Sequence, residues 1–249
     1  MSEAAWERYV GVVLAQLRQV QATQGPALRA AARMVADALA QDGWLYVFGS
    51  GHSHLMAGEL FYRAGGLARV APIFHGPLML HEGAARSSEL EREEGYAARV
   101  LADYPLGARD VLVVVSNSGR NPVPIELALL ARERGARTIG LVSARHMAAF
   151  PSRHRSGQRL GEVVDLVLDN CGVPGDAALT LEGLEEPVGP TSTITGALLL
   201  EALVVQAVEE LLAAGRAPEV WQSANLGAGQ YAARNQQLLE RYRGRVRHL

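Results

Sequence analysis

Three short segments of the sequence combine glycine with side chains that donate hydrogen bonds to anions. They are Gly49-Ser50-Gly51-His52-Ser53, Ser116-Asn117-Ser118-Gly119-Arg120-Asn121 and Thr191-Ser192-Thr193. Each follows a predicted strand or begins a predicted helix, where glycine lets the backbone approach a ligand and unpaired N–H groups carry partial positive charge. Hydroxyl, amide and guanidinium groups all donate hydrogen bonds to phosphate oxygens. Together the segments predict a phosphate pocket that uses neither lysine nor a metal ion.

Each segment alone also has an ordinary structural explanation. A turn between a strand and a helix needs small residues for packing, which accounts for Gly49 and Gly51 without any ligand. The hydroxyls of residues 191–193 suit the N-cap of a helix, where a side-chain oxygen accepts a hydrogen bond from a backbone N–H group. The prediction of a phosphate pocket depends on all three segments occurring in one chain.

Four side chains are candidates for moving protons beside such a pocket: Glu59, His81, Glu82 and His154. General acid–base catalysis needs groups with pKa values near the working pH, and histidine or a partly buried carboxylate can provide them. Glu59 is the leading candidate for the base, and His81 with Glu82 is the next pair. His154 follows another predicted strand, where it could contact a bound ligand. A solvated surface position explains each of these residues equally well.

Two further features have competing interpretations. His52 and His54 suggest a metal site, but residues two apart on a helix point in different directions, so no metal ion is predicted. Asp176 follows Gly175 and suits either a turn or a contact with a hydroxyl group of a ligand.

The chain contains no lysine, and all of its 24 Lys or Arg positions are arginine. A Schiff-base lysine, a phosphate-binding lysine of the P-loop type and a lysine base are therefore excluded. A coding bias towards arginine also explains this composition. If the protein is an enzyme, glutamate and histidine must move its protons, and no cofactor is predicted.

The hydropathy pattern predicts strands that alternate with helices. Strands are predicted at 44–48, 67–74, 110–116, 137–143 and 163–169. Helices are predicted at 2–21, 27–41, 54–64 and 194–214, and a further helix begins at Pro122 or Pro124 and continues to residue 133. Strands too apolar to face water indicate a parallel sheet with helices on both faces, an α/β fold. Ligands of such sheets bind outside the carboxyl ends of the strands. The polar stretch 75–103 is expected to form a lid or a helical excursion over the site.

Chain length, cysteine content and charge further limit the class of protein and its location. A chain of 249 residues with one cysteine, Cys171, can bury a core without disulfides and fits a reducing cytoplasm. No segment resembles a signal peptide or a membrane span, so a cytoplasmic protein is expected. The net charge of -2 argues against a broad nucleic-acid surface. The end of the chain holds five arginines, at 234, 241, 243, 245 and 247, and is either an anion-binding or subunit-clasping tail or a solvated helix.

The first two segments resemble those of SIS (sugar isomerase) domains. The first fits the form Gly-x-Gly-x-Ser, and the second fits Ser-x-Ser-Gly-x-Thr with Asn121 in place of the threonine. With the third segment and the tail, essentially the whole chain is similar to a bacterial SIS-domain family grouped near the phosphoheptose (sedoheptulose-7-phosphate) isomerases. The resemblance implies a five-stranded, flavodoxin-like α/β/α sandwich, a dimerising helical hairpin at 1–42 and an SIS domain at 43–249. It further implies a homodimer or homotetramer and a phosphosugar ligand.

The resemblance also carries over roles for single residues. It places Ser53 in the first loop and Ser116, Ser118 and Asn121 around the phosphate. The related isomerases and etherases have a glutamate about three helical turns after the first-loop serine. Here Glu59 comes six residues after Ser53, and Arg63 stands at the family spacing.

Three functions remain open. The leading one is an aldose–ketose phosphosugar isomerase, or a related etherase or lyase. The second is a phosphosugar sensor or assembly protein that binds without turnover. The third is nucleic-acid binding through the arginine tail, which would weaken steeply with salt.

Overall fold

Five parallel strands form the central sheet of the protein, whose computed structural model describes residues 3–226 and 230–249. The strands are β1 (Leu45–Gly49), β2 (Val70–Ile73), β3 (Val111–Val115), β4 (Arg137–Val142) and β5 (Leu166–Asp169). Their order in the sheet is β2-β1-β3-β4-β5, and every pairing between neighbours is parallel. This is the flavodoxin-like order, so the predicted fold class is confirmed.

Helices cover both faces of the sheet. They are α1 (Ala5–Thr23), α2 (Gly25–Ala40), α3 (His54–Leu60), α4 (Ala84–Leu90), α5 (Tyr96–Leu101), α6 (Pro122–Glu133), α7 (Ala144–Ala149), α8 (Leu160–Val163), α9 (Ser192–Ala213) and α10 (Gln230–Tyr242). None of the helices in the described part of the chain is both long and apolar enough to cross a membrane. Residue 2, where the first predicted helix begins, lies outside the described residues.

Side-chain alternation along the strands divides the core into two layers. Leu45 and Val47 of β1 pack with residues of α2, α3 and α9, whereas Tyr46 and Phe48 pack with residues of α5, α6 and α8. Successive strand residues point to opposite faces, and both faces of β1 are buried. The strands therefore have no polar face, which is why the sequence showed continuous apolar runs rather than alternation.

Helix α3 is shorter than the predicted helix at 54–64. It ends at Leu60 because Phe61 is extended and Tyr62 has a φ of 50°. Just beyond it, the N–H of Gly65 donates a hydrogen bond to the carbonyl of Trp221 at 2.9 Å. A contact with a distant part of the chain thus replaces the last turn of the predicted helix.

Several short elements were not predicted. They include helices α7 and α8 and a small antiparallel pair, β6 (Ala177–Leu179) and β7 (Val188–Pro190), which precedes α9. The stretch 75–103 contains α4 and α5, so of the two forms expected there it takes the helical excursion, which connects β2 to β3.

The arginine-rich end of the chain packs against its own fold. Leu238, Tyr242 and Val246 are buried, and the ring of Tyr242 meets Trp44 edge-on with 5.0 Å between the centroids. The tail is therefore not a fully solvated helix.

Candidate functional site

The first segment turns sharply as it leaves β1. A side chain at Gly49 would place its Cβ 2.2 Å from the carbonyl oxygen of Ser53, and Gly51 has a φ of 54°. The N–H of Ser53 donates to the carbonyl of Ser50 at 3.0 Å, which closes the turn into α3. Glycine is thus required for the backbone here, and the turn carries His52 and Ser53 to the carboxyl edge of the sheet.

The second segment leaves β3, the neighbour of β1 in the sheet. Ser116 is buried, and its hydroxyl accepts a hydrogen bond from the N–H of Gly119 at 3.2 Å. The side-chain oxygen of Asn117 accepts one from Asn170 Nδ2 at 2.9 Å. The first two segments therefore flank the point where the strand order reverses, the usual ligand position in such sheets.

The third segment begins α9, and a carboxylate of the same chain already binds the helix start. Asp176 Oδ1 accepts hydrogen bonds from the N–H groups of Thr191 at 3.1 Å and Ser192 at 2.9 Å, and Oδ2 accepts one from Ser192 Oγ at 2.6 Å. Asp176 therefore caps α9. Because those donors are used, the start of this helix does not offer them to a phosphate.

Residues from all three segments line one small cavity. They are His52 and Ser53 from the first segment, Asn117 from the second, and Ser192 and Thr193 from the third. The cavity has a volume of about 20 Å³, about that of one water molecule. A larger cavity of about 800 Å³ shares Met56 and Thr193 with it. The fold thus brings together three segments that are far apart in the sequence.

Two candidate proton-transfer residues, Glu59 and His81, line this larger cavity. Glu59 Oε1 lies 2.7 Å from Arg63 Nη1, so the arginine at the family spacing pairs with the glutamate one turn earlier. The other side of Arg63 faces Glu201, with 3.6 Å between Nε and Oε1.

Glu201 on α9 was not predicted as a site residue. Burial raises the pKa of its carboxyl group, while the charge of Arg63 acts in the opposite direction and that of Glu59 raises it further. The sequence offered one weak signal, since residues 193, 197 and 201 follow one face of a helix and the first two line the larger cavity.

The other two candidates have different surroundings. Glu82 lies beside His81, with 3.9 Å between Oε1 and Nε2, and both side chains are more than half exposed. His154 is buried outside both cavities. Its Nε2 faces Glu126 Oε1 at 3.6 Å, and its Nδ1 lies 2.7 Å from Ser156 Oγ. The structure brings Glu59 and His81 to one cavity and leaves His154 in a separate buried pair.

Glu91, at the end of α4, joins the first two segments. Ser50 Oγ donates to Glu91 Oε1 at 2.7 Å, and Asn121 Nδ2 donates to Glu91 Oε2 at 2.8 Å. Arg153 Nη1 in turn donates to Asn121 Oδ1 at 3.0 Å. Sequence reasoning missed Glu91 because it is one of several glutamates in a charged stretch, and no local spacing distinguishes it.

Arginines surround the second segment. Arg120 Nε donates to the carbonyl of Pro151 at 2.9 Å, and its guanidinium lies 5.3 Å from the centre of the Phe150 ring. Partial desolvation lowers the pKa of Arg153, and the nearby charges of Arg120 and Arg92 lower it further. This clustering of like charges beside the second segment makes its surroundings favourable for an anion.

The tail reaches the edge of the larger cavity. Arg247 pairs with Asp103, and His248 Nε2 lies 3.2 Å from the hydroxyl of Tyr104. The ring of His248 also packs on Phe74, a residue of the cavity wall, with 5.1 Å between the centroids. Among the described residues, no group of three His, Cys, Asp or Glu side chains has the proximity to hold a metal ion.

Comparisons with known proteins agree with this arrangement of strands and loops. The family model described as SIS domain matches residues 8–143, a range that begins within α1 and includes the whole of α2. A UPF0309 protein of Halalkalibacterium halodurans is 46% identical over 220 residues, which cover 88% of this chain and 87% of the relative.

Two solved structures share the fold. The phosphoheptose isomerase GmhA of Neisseria gonorrhoeae is similar with a TM-score of 0.52 at 18% identity, over 81% of this chain and 96% of that one. The NanR protein of Vibrio vulnificus, solved in complex with ManNAc-6P, is similar with a TM-score of 0.50 at 16% identity, over 97% of this chain and 69% of that one. At these identities the likeness is one of fold. The family model and the close relative show that the chain belongs to the SIS-domain proteins, in the bacterial UPF0309 family.

Proposed function

We propose that the protein binds a phosphosugar at the carboxyl edge of the sheet and isomerises it between aldose and ketose forms. The observation that carries this proposal is the meeting of the three segments beside a cavity that also contains Glu59 and His81. The small cavity holds only about one water molecule, so the sugar occupies the larger one and its phosphate lies near their shared wall.

Three hydroxyl groups are the proposed phosphate ligands, one from each segment. They belong to Ser53 and Thr193, which line the small cavity, and to Ser118, which lines neither cavity. Within the part of the chain that the structure describes, none of the three hydroxyls forms a hydrogen bond. The hydroxyls of Ser50 and Ser192 already donate to Glu91 and Asp176. Donors bound to a carboxylate are not available to a phosphate. The proposed phosphate ligands are therefore fewer than the hydroxyl groups that the sequence suggested.

The proposed reaction moves one proton between neighbouring carbons. Glu59 removes the proton from the carbon beside the carbonyl, while His81 gives a proton to the carbonyl oxygen and an enediol forms. Glu59 then returns its proton to the adjacent carbon, while the hydroxyl on the carbon that first lost a proton gives its own proton back to His81. The product is the isomer, with no net change in composition or oxidation state. The ion pair with Arg63 holds the Glu59 side chain in place.

Deuterium exchange tests the proposal. The purified protein is mixed in D₂O with sedoheptulose 7-phosphate, fructose 6-phosphate and N-acetylated hexosamine and muramic acid 6-phosphates, and NMR follows carbon-bound deuterium. We expect incorporation into at least one substrate, loss of it in Glu59→Gln, and retention in Glu133→Gln, which changes an exposed glutamate on α6. Failure of exchange with every substrate would contradict the isomerase proposal, whereas release of lactate from the muramic acid phosphate would indicate the etherase alternative.

A phosphosugar sensor is the second candidate. It is favoured by Arg63, which stands where the related isomerases have a glutamate, and by the fold shared with NanR, which was solved with a sugar phosphate. Calorimetric binding of a phosphosugar, with no exchange by the wild-type protein and equal affinity in Glu59→Gln, would support a sensor. In both cases the ligand is a phosphosugar and not a nucleic acid. The cytoplasmic location remains a prediction from the sequence.

A homodimer is the proposed assembly. Apolar side chains along one stripe of α1 are exposed in the single chain: Trp6 is 68% exposed, Leu14 46% and Val10 43%. Leu14 also lines an apolar groove of about 470 Å³ with Leu198 of α9. A second copy that covers this face would remove the apolar surface from water, which is the main driving force for association.

A further inference from the structure

A second large cavity lies at the opposite edge of the sheet from the three segments. Its volume is about 610 Å³, within the range of small-molecule sites. Trp44 and Arg69, each directly before a strand, and Arg109, two residues before β3, are part of its wall. The cavity therefore lies at the amino ends of the strands and is separate from the proposed phosphosugar site.

The wall of this cavity carries an excess of positive charge. Five arginines line it, against the two carboxylates of Asp42 and Glu219. Arginine stays charged at every accessible pH, so the excess cannot be relieved by deprotonation.

Two of the five arginines have partners that explain their position. Arg69 Nη2 donates to the carbonyl of Leu39 at 2.6 Å, near the end of α2, and Arg69 Nε lies 3.5 Å from Glu219 Oε2. Arg241 pairs with the other oxygen of Glu219. Arg69 thus stabilises the end of α2 and Arg241 has a carboxylate partner, so neither residue requires a ligand.

The other three arginines, Arg109, Arg216 and Arg245, lack such partners. With residues 3–225 and 233–249, whose side chains the structure describes, their guanidinium groups form no hydrogen bond and no ion pair. Like charges gathered around one concave surface repel each other and raise the local concentration of anions. An anion that bridges the three guanidinium groups would relieve this repulsion.

We propose that this cavity is a second anion site, which binds a small molecule with two linked phosphoryl groups. The planar guanidinium fork matches a phosphoryl group with two parallel hydrogen bonds. Three guanidinium groups without a protein partner are more than one phosphoryl group needs. The apolar part of the wall, which includes Leu39, Leu67 and Leu211, can contact an organic portion of the ligand.

Isothermal titration with inorganic pyrophosphate tests the site on the full chain. We expect binding by the wild-type protein that weakens as salt screens the charges. In Arg109→Gln/Arg216→Gln the affinity should fall by about tenfold or more, because charge-assisted hydrogen bonds are lost. The control Arg8→Gln/Arg29→Gln removes the same charge from exposed positions outside this cavity and should keep the wild-type affinity.

Ser118→Ala separates the two sites. It should leave pyrophosphate binding unchanged, since Ser118 lies at the other edge of the sheet. The proposal is overturned if the wild-type protein does not bind pyrophosphate at millimolar concentration, if both arginine variants weaken binding equally, or if Ser118→Ala abolishes it. Circular dichroism of each variant establishes that a loss of binding does not come from unfolding.

Discussion

The hydroxyl of Ser50 and the side-chain amide of Asn121 bind the two oxygens of a single carboxylate, that of Glu91. Both donors are buried, and they belong to different segments of the proposed site. Glu91 thus connects the loops after β1 and β3 through a residue that lies outside both. The two segments consequently have fewer donors free for a ligand than the hydroxyl and amide groups that they contain.

Removal of the Glu91 carboxylate should destabilise the fold. Glu91→Ala leaves the buried donors of Ser50 and Asn121 without their acceptor, and an unsatisfied buried donor costs about 1–3 kcal/mol. We expect the free energy of unfolding to fall by about 2 kcal/mol or more, measured by urea denaturation. Glu93→Ala, an exposed neighbour, should change it little. Equal stability of the two variants would show that the connection is unimportant.

Loss of the Ser118 hydroxyl should weaken phosphosugar binding. If this group bonds a charged phosphate oxygen, Ser118→Ala should reduce the binding free energy by about 1–3 kcal/mol, measured by calorimetry. Ser88→Ala provides the control, because Ser88 is exposed on α4 and its hydroxyl bonds only the carbonyl of Ala84. An unchanged affinity in Ser118→Ala would place the phosphate elsewhere.

Glu201 should make stability depend on pH. Burial raises the pKa of its carboxyl group above the ordinary value of 4.5, so the folded state binds its proton more tightly than the unfolded state does. The stability from this group is present below pH 4.5 and is lost as the pH rises through the higher folded pKa. As the pH rises over this range, the free energy of unfolding should therefore fall less in Glu201→Gln than in the wild-type protein, as measured by urea unfolding at a series of pH values. Glu133→Gln should follow the wild-type profile, and an identical profile for Glu201→Gln would contradict the prediction.

A charge on the exposed stripe of α1 should dissociate the proposed dimer. Trp6→Asp introduces a carboxylate into apolar surface that the second copy would cover, and light scattering after size-exclusion chromatography should then show a monomer. Gln19→Asp places the same charge on the opposite side of α1 and should leave the dimer intact. A wild-type protein that is already monomeric would rule out this interface.

The sequence predicted the fold better than it predicted the site. The five strands were recognisable because strands buried on both faces are continuously apolar. Pro122 and Pro124 were both candidates for the first residue of α6, and the helix begins at Pro122. Helix α3 was predicted too long, since its end depends on the contact between Gly65 and Trp221, which are distant in the sequence. The pair β6–β7 was missed because its strands have only three residues each.

The sequence by itself determined the parallel sheet, the position of the three segments at its carboxyl edge and the absence of lysine chemistry. Only the tertiary structure decided which donors remain free for a ligand. Glu91 meets Ser50 across 41 positions of the chain, and Asp176 meets Ser192 across 16. The tertiary structure also placed Arg63 between Glu59 and Glu201 and gathered five arginines at the amino edge of the sheet. Such pairings arise from the packing of whole elements, whereas residue type and local spacing specify only the elements themselves.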